Sequence, residues 1–171
     1  MKHALRTIAF AATSIILATL HGCGFYSFTG ASIPAEAKTV SVQYFPNQAQ
    51  IVQPLLSNEM TTSLRDALMN QTSLTMVEAN GDLEFEGEIV SYTTAPTAIT
   101  SDQVAALNRL TIVVNVRFVN NIDESKNFEQ RFTQYEDYDS SSELSAIEQT
   151  LISTIVSNLV DQIFNKALVN W

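Results

Sequence analysis

The sequence predicts an α+β two-layer sandwich: a mixed sheet of four or five strands with two amphipathic helices on one face. Three observations predict it. Several short runs alternate apolar and polar residues, the period of a half-buried strand. Two longer runs repeat their apolar residues at helical spacing. Strands with one apolar face need a cover, and two amphipathic helices supply it.

Thr39 to Phe45 reads as the first strand, with Val40, Val42 and Tyr44 on one face and Pro46-Asn47 as its end. A helix is expected from Val52 to Met69. Its stripe is Val52, Leu55, Leu56, Met60, Leu64 and Leu68, and Pro54 is tolerated only in its first turn. Leu74 to Val77 is a short strand. Asn80-Gly81 suits a tight hairpin turn into the next one. Asp82 to Tyr92 sets Leu83, Phe85 and Ile89 against Glu84, Glu86 and Glu88.

Residues 95–105 read as a loop. Leu110 to Asn120 turns Leu110, Ile112, Val114, Val116 and Phe118 inward, and Arg109, Thr111, Asn115 and Arg117 outward. Asn121 to Lys126 is a polar turn, and Asn127 to Tyr138 is a last strand. The final helix is expected over 141–169, opened by a Ser140–Glu143 capping box. Leu144, Ile147, Leu151, Ile155, Leu159, Ile163 and Ala167 form its stripe, widened by Ile152, Val156 and Phe164.

The N-terminus carries an export signal. Lys2 and Arg6 precede an uncharged apolar run from Ile8 to Leu20, too short to span a bilayer. Leu20-His21-Gly22-Cys23 closes it. This resembles the bacterial lipoprotein box, although His21 stands where a small residue is usual. The resemblance implies cleavage between Gly22 and Cys23 and a triacylated Cys23, and more than one acyl chain makes anchoring firm. Known sorting signals commonly use Asp after the Cys to retain a lipoprotein in the inner membrane. Gly24 stands there, so the outer membrane is expected, on its periplasmic leaflet. Residues 1–22 are thus the signal, 23–38 a lipidated tether and 39–171 a single α+β domain.

The mature chain would have 149 residues, enough for one domain with a sizeable core. It keeps seven Lys and Arg against 18 Asp and Glu, a net charge of −11. That balance repels nucleic acid and anionic headgroups, so attachment rests on the lipid. His3 and His21 both leave with the signal, and the sole Cys is acylated. Imidazole bases, Ser-His and Cys-His nucleophiles and N/S zinc sites go with them. No catalytic residues, metal site or cofactor are expected apart from the covalent lipid.

Some clusters invite chemistry. Glu84, Glu86 and Glu88 share a strand face, but neighbouring carboxylates lie about 7 Å apart, too far for tight shared coordination. They read as a solvated face that Arg109 or Arg117 pairs across strands. Asp137, Asp139, Ser141 and Glu148 match four positions of a calcium loop, yet Ser142 stands where that loop needs Gly. Phe25, Tyr26 and Phe28 follow the lipid and suit either the membrane interface, a partner or the domain's own surface. Trp171 is a terminal aromatic for packing or the interface.

The order of motifs resembles one family over essentially the whole mature chain. Cys23-Gly24-Phe25 begins it, followed by Gly30, Ile33-Pro34 and Lys38-Thr39-Val40. Gly87-Glu88-Ile89 with Tyr92, the strand Leu110 to Val116, then Phe128, Phe132, Tyr135 and the long last helix complete it. The chain is similar to the lipopolysaccharide-assembly (LptE-like) lipoproteins. That resemblance implies a partner, the LptD-like β-barrel translocon of the outer membrane. The lipoprotein would plug its lumen, assist its assembly and support lipopolysaccharide delivery to the outer leaflet. Some members bind lipopolysaccharide through a basic loop cluster. Here Arg109, Arg117 and Arg131 are scattered on an acidic chain, so direct contact with lipopolysaccharide stays open. The alternative is an accessory or pilotin-type lipoprotein of another outer-membrane complex.

Overall fold

The computed structural model describes residues 33–97 and 107–169. Its elements follow the order strand, helix, four strands, helix: β1 (Thr39–Val42), α1 (Leu56–Gln71), β2 (Thr75–Val77), β3 (Leu83–Pro96), β4 (Leu107–Asn120), β5 (Phe128–Asp139) and α2 (Leu144–Leu168). A 3-10 turn at Glu124–Lys126 joins β4 to β5. The strands form one five-stranded mixed sheet in the order β2-β1-β3-β4-β5. β1 runs parallel to both neighbours; β3, β4 and β5 form an antiparallel meander.

Period-two alternation places the core. Leu110, Ile112, Val114, Val116 and Phe118 of β4 are buried, as are Leu83, Phe85 and Ile89 of β3. Both helices cover this face. α1 contributes Leu56, Met60, Leu64 and Leu68; α2 contributes Ile152 through Leu168 at helical spacing. The fold class is the α+β sandwich that the sequence predicts. A chain of rings from Phe85 through Phe118 and Phe128 to Phe132, with centroids 4.9, 5.4 and 6.4 Å apart, fills the β5 side.

Three local expectations are corrected. Asn80-Gly81 makes no hairpin, because β1 lies between β2 and β3 and all three run parallel. Residues 78–82 instead cross β1. A Cβ on Gly81 would lie 2.7 Å from Ser41 N and 2.9 Å from Val40 C, so only glycine passes this close to the strand backbone. Asn80 beside it takes φ 55°. Asp82 then locks the crossing. Its Oδ2 accepts from the Lys38 and Thr39 amides and the Thr39 hydroxyl at 2.8–2.9 Å.

The expected capping box is also absent. Glu143 is the N-cap of α2 and makes no side-chain cap bond. Asp139 takes the local donors instead, accepting from the Ser141 amide and hydroxyl at 2.7 and 2.6 Å, and residues 140–142 turn before the helix begins. Finally, α1 starts at Leu56, not Val52. Pro54 and the bond from the Leu55 amide to Gln53 Oε1 hold the preceding residues outside the helix. Val52 and Leu55 are therefore solvent-exposed rather than part of a buried stripe.

Candidate partner-binding surface

The residues singled out for lipidation and cleavage, Cys23 and Gly22, lie outside the described residues. So do Phe25, Tyr26, Phe28 and Trp171. Residues before β1 are tied to the body from Ile33 onward: Ile33 packs partly on the core, and Ala37 is buried.

Among the described residues, the two helices cover one sheet face and no element covers the other. β3 and β4 place Glu86 opposite Arg117, and their charges meet at 3.5 Å. Glu86 also accepts from Gln43 Nε2 at 2.7 Å, and Glu84 accepts from Asn121 Nδ2 at 2.6 Å. The acidic row is thus a hydrogen-bonded face rather than a cation cage. Asn115 donates to Glu129 one strand further on, at 3.0 Å. A shallow depression of about 460 Å³ lies among Gln43, Tyr44, Glu86, Glu88, Asn115 and Arg117.

Arg109 does not reach the Glu row. It grips Asp137 of β5 with two bonds of 2.7 and 2.8 Å and lies 3.6 Å from the Tyr135 ring centroid. The guanidinium's hydrogen bonds hold the Asp137 carboxyl below its ordinary range and push the Arg109 pKa up. Arg131 is exposed on the same strand face as Tyr135. The calcium-template residues go three ways: Asp137 to Arg109, Asp139 to Ser141, and Glu148 to the Tyr92 hydroxyl at 2.5 Å. Burial, then the Glu148 hydrogen bond, pushes the Tyr92 phenol up, so it stays a donor tying α2 to the sheet. Among the described residues, no three His, Cys, Asp or Glu side chains converge on a metal-sized site. No described helix is long and apolar enough to cross a membrane.

Beside this polar face lies one surface that the sequence reading missed. Ile51, Val52 and Leu55, between β1 and α1, are each more than half exposed. Pro54 was the available signal, since it stops a helix from extending back through the apolar run.

The architecture and its polar outer face can be set beside known proteins. The model of the LptE family, described as lipopolysaccharide-assembly, matches residues 37–167. The chain belongs to this family. The match runs from Ala37, two residues before β1, to Ala167 in the last turn of α2, so it takes in every strand and both helices of the described sandwich. Comparison with the curated proteins gives no match. Among solved structures, the LptE-family chain is similar to a minor lipoprotein from Acinetobacter baumannii, at 14% identity and a TM-score of 0.50, covering 76% of this chain and 91% of that one. It is also similar to the hypothetical protein CT253 from Chlamydia trachomatis, at 10% identity and a TM-score of 0.52, covering 77% and 98%. At these identities the likeness is one of fold.

Proposed function

We propose that this LptE-family chain is an outer-membrane lipoprotein that plugs the β-barrel lipopolysaccharide translocon, helps it assemble, and so supports lipopolysaccharide transport to the outer leaflet. The family match across residues 37–167 is the observation that carries this reading. Three properties of the chain support it. Leu20-His21-Gly22-Cys23 closes an export-signal pattern, and a lipid on Cys23 would hold the domain at the periplasmic leaflet. The chain after Gly22 has no His and its one Cys is Cys23, a composition that suits a binding role. The outer sheet face is polar and hydrogen-bonded, which suits the polar interior of a large barrel.

Phe25, Tyr26 and Phe28 then sit between lipid and domain, where aromatics rest on the membrane interface or on the barrel. Short tethering of this kind raises the local concentration at the barrel to the millimolar range. The test is to tag the C-terminus, extract outer membranes in mild detergent and identify what co-purifies. A large β-barrel translocon in near-equal amount supports the reading. Recovery of secretion or cell-wall machinery without such a barrel would sink it and favour a pilotin-type role.

A further inference from the structure

We infer that Asn80–Gly81 is a deamidation site that the fold holds shut, so that conversion of Asn80 to an aspartyl or isoaspartyl residue marks chains that have been unfolded. This holds whether or not the plug reading does.

The chemistry starts in the sequence. Asn80 is the one Asn of the chain that Gly follows. In water, the backbone nitrogen after an Asn attacks that Asn's side-chain amide carbon. A following glycine allows this most readily, because no Cβ shields its nitrogen and its backbone turns freely. The Gly81 N–H gives its proton to hydroxide as the nitrogen bonds to Asn80 Cγ. The Cγ–Nδ2 bond then breaks, and ammonia leaves with a proton from water. A five-membered succinimide remains, and one water opens it. Opening at one carbonyl leaves an aspartyl residue at position 80. Opening at the other leaves an isoaspartyl residue, whose main chain runs through Cβ and is one carbon longer.

The fold blocks the first step at the nucleophile. Asn80 is exposed, so its amide group stands in water, but Gly81 is buried and hydroxide does not reach its N–H. That N–H faces Ser41 Oγ at 3.4 Å, and Gly81 O accepts from Asn121 Nδ2 at 2.8 Å. A Cβ on Gly81 would lie 2.7–2.9 Å from backbone atoms of Ser41, Leu83 and Val40, so the residue has no room to turn. Asp82 fixes the far side. Its amide donates to Thr39 Oγ1 at 2.9 Å, and its carboxylate accepts from Lys38 and Thr39. Asn80 itself has φ 55°, the left-handed region, where ψ is about +30 to +60°. Closing the ring needs the Gly81 nitrogen to eclipse Asn80 Cβ, a ψ on the far side of the circle.

Reaction therefore waits until residues 78–82 lift off β1, a local opening that breaks the Gly81 and Asp82 bonds together. An unfolded chain has no such block. The isoaspartyl product is then kept out of the native crossing. Its extra main-chain carbon precedes Gly81, where the backbone is already in close contact on both sides. Its new carboxylate also stands between Glu78 and Asp82, two like charges within five residues. The lesion thus records time spent unfolded and hinders the return.

The test uses the protein purified from cells in mild detergent. It is held at one mildly alkaline pH and temperature, either folded or in guanidinium chloride above its unfolding transition. Peptide mass spectrometry reads the exchange of amide nitrogen for oxygen at position 80, and isoaspartate methyltransferase reads the isoaspartyl product. Conversion of Asn80 is expected to be at least about tenfold faster unfolded than folded, and to lead all other Asn in the unfolded sample. There Gly81→Ala should slow it several-fold, because a Cβ shields the nitrogen. Asp82→Ala, kept where circular dichroism shows it folded, should speed folded conversion at least about fivefold. After dilution from denaturant, isoaspartyl chains should be depleted in the refolded fraction. Equal folded and unfolded rates would overturn the block. Unfolded conversion no faster than at other Asn would overturn the site. An Asp82→Ala rate equal to wild type would remove the crossing as its cause, and isoaspartyl chains that refold as well as unmodified ones would overturn the barrier to return.

Discussion

At the scale of single residues, the fold depends on close approaches that only small or polar side chains permit. A Cβ on Gly81 would lie 2.7–2.9 Å from backbone atoms of Ser41, Leu83 and Val40, none of which can swing aside. A Cβ on Gly87 would lie 2.5 Å from the buried Phe45 ring. Gly81→Ala and Gly87→Ala are each expected to cost about 1–3 kcal/mol of overpacking, seen as a lower urea midpoint at an unchanged slope. Asp82 makes a different prediction. Hydrogen bonds from the Lys38 amide and from Thr39 hold its carboxyl below the ordinary 3.8 in the folded state. A depressed folded pKa contributes stability that is fully present above the unfolded value. It is lost as pH falls through the folded value, so the window lies below about pH 4. Asp123, Asp137 and Asp139 are lowered too and share the acid slope of the wild type. Asp82→Asn should flatten part of that slope in a melting-temperature series below pH 4; an unchanged slope would remove Asp82 from the acid response. None of these contacts was legible in the sequence, because Asp82 meets Lys38 and Thr39 more than 40 residues away.

At the scale of elements, periodicity named the type of each element but not its ends: β1 stops at Val42, so that Tyr44, expected on the face of Val40 and Val42, is exposed and Phe45 is buried instead. The alternation in β4 and the helical stripe in α2 from Ile152 onward each name their own buried face, so their partners did not need to be known. The reading failed where the signal was non-local. Asn80-Gly81 has hairpin composition, but β1 inserts between the strands it joins, and no local pattern announces an insertion. Val52 and Leu55 have helical spacing, but Pro54 and the Gln53–Leu55 bond hold them outside the helix, which begins only at Leu56. Side-chain burial also varies along α2. Leu159 is fully buried, whereas Leu144 and Ile147 in the first turns pack only partly on the core. Leu159→Ala is expected to cost about 2–5 kcal/mol, and Ile147→Ala clearly less, by chemical denaturation. Equal costs would mean that the first turns are as tightly enclosed as the centre. The junction between β1 and α1 gives a second test. Thr61 Oγ1 accepts from the buried Phe45 amide at 3.1 Å and donates to Ser57 O at 2.7 Å. Thr61→Val keeps the shape but strands the Phe45 N–H, which costs about 1–3 kcal/mol.

At the scale of the whole molecule, the candidate site divides into a part that the sequence carries and a part that only the fold reveals. The lipoprotein box is local, and Cys23 can be read from its neighbours alone. The exposure of Ile51, Val52 and Leu55 is not local in this way, because it depends on where α1 starts. The two parts make separable contributions in the proposed arrangement. The lipid supplies effective concentration and the folded surface supplies contact. Export of residues 24–171 behind a cleavable signal that lacks the lipoprotein box should therefore free the protein from the outer membrane and abolish co-purification of the barrel at native expression. Its contact surface is untouched, so overproduction of the soluble form should restore the complex by mass action. An unacylated 24–171 chain that fails to assemble at any concentration would show instead that the acylated N-terminus is itself part of the interface.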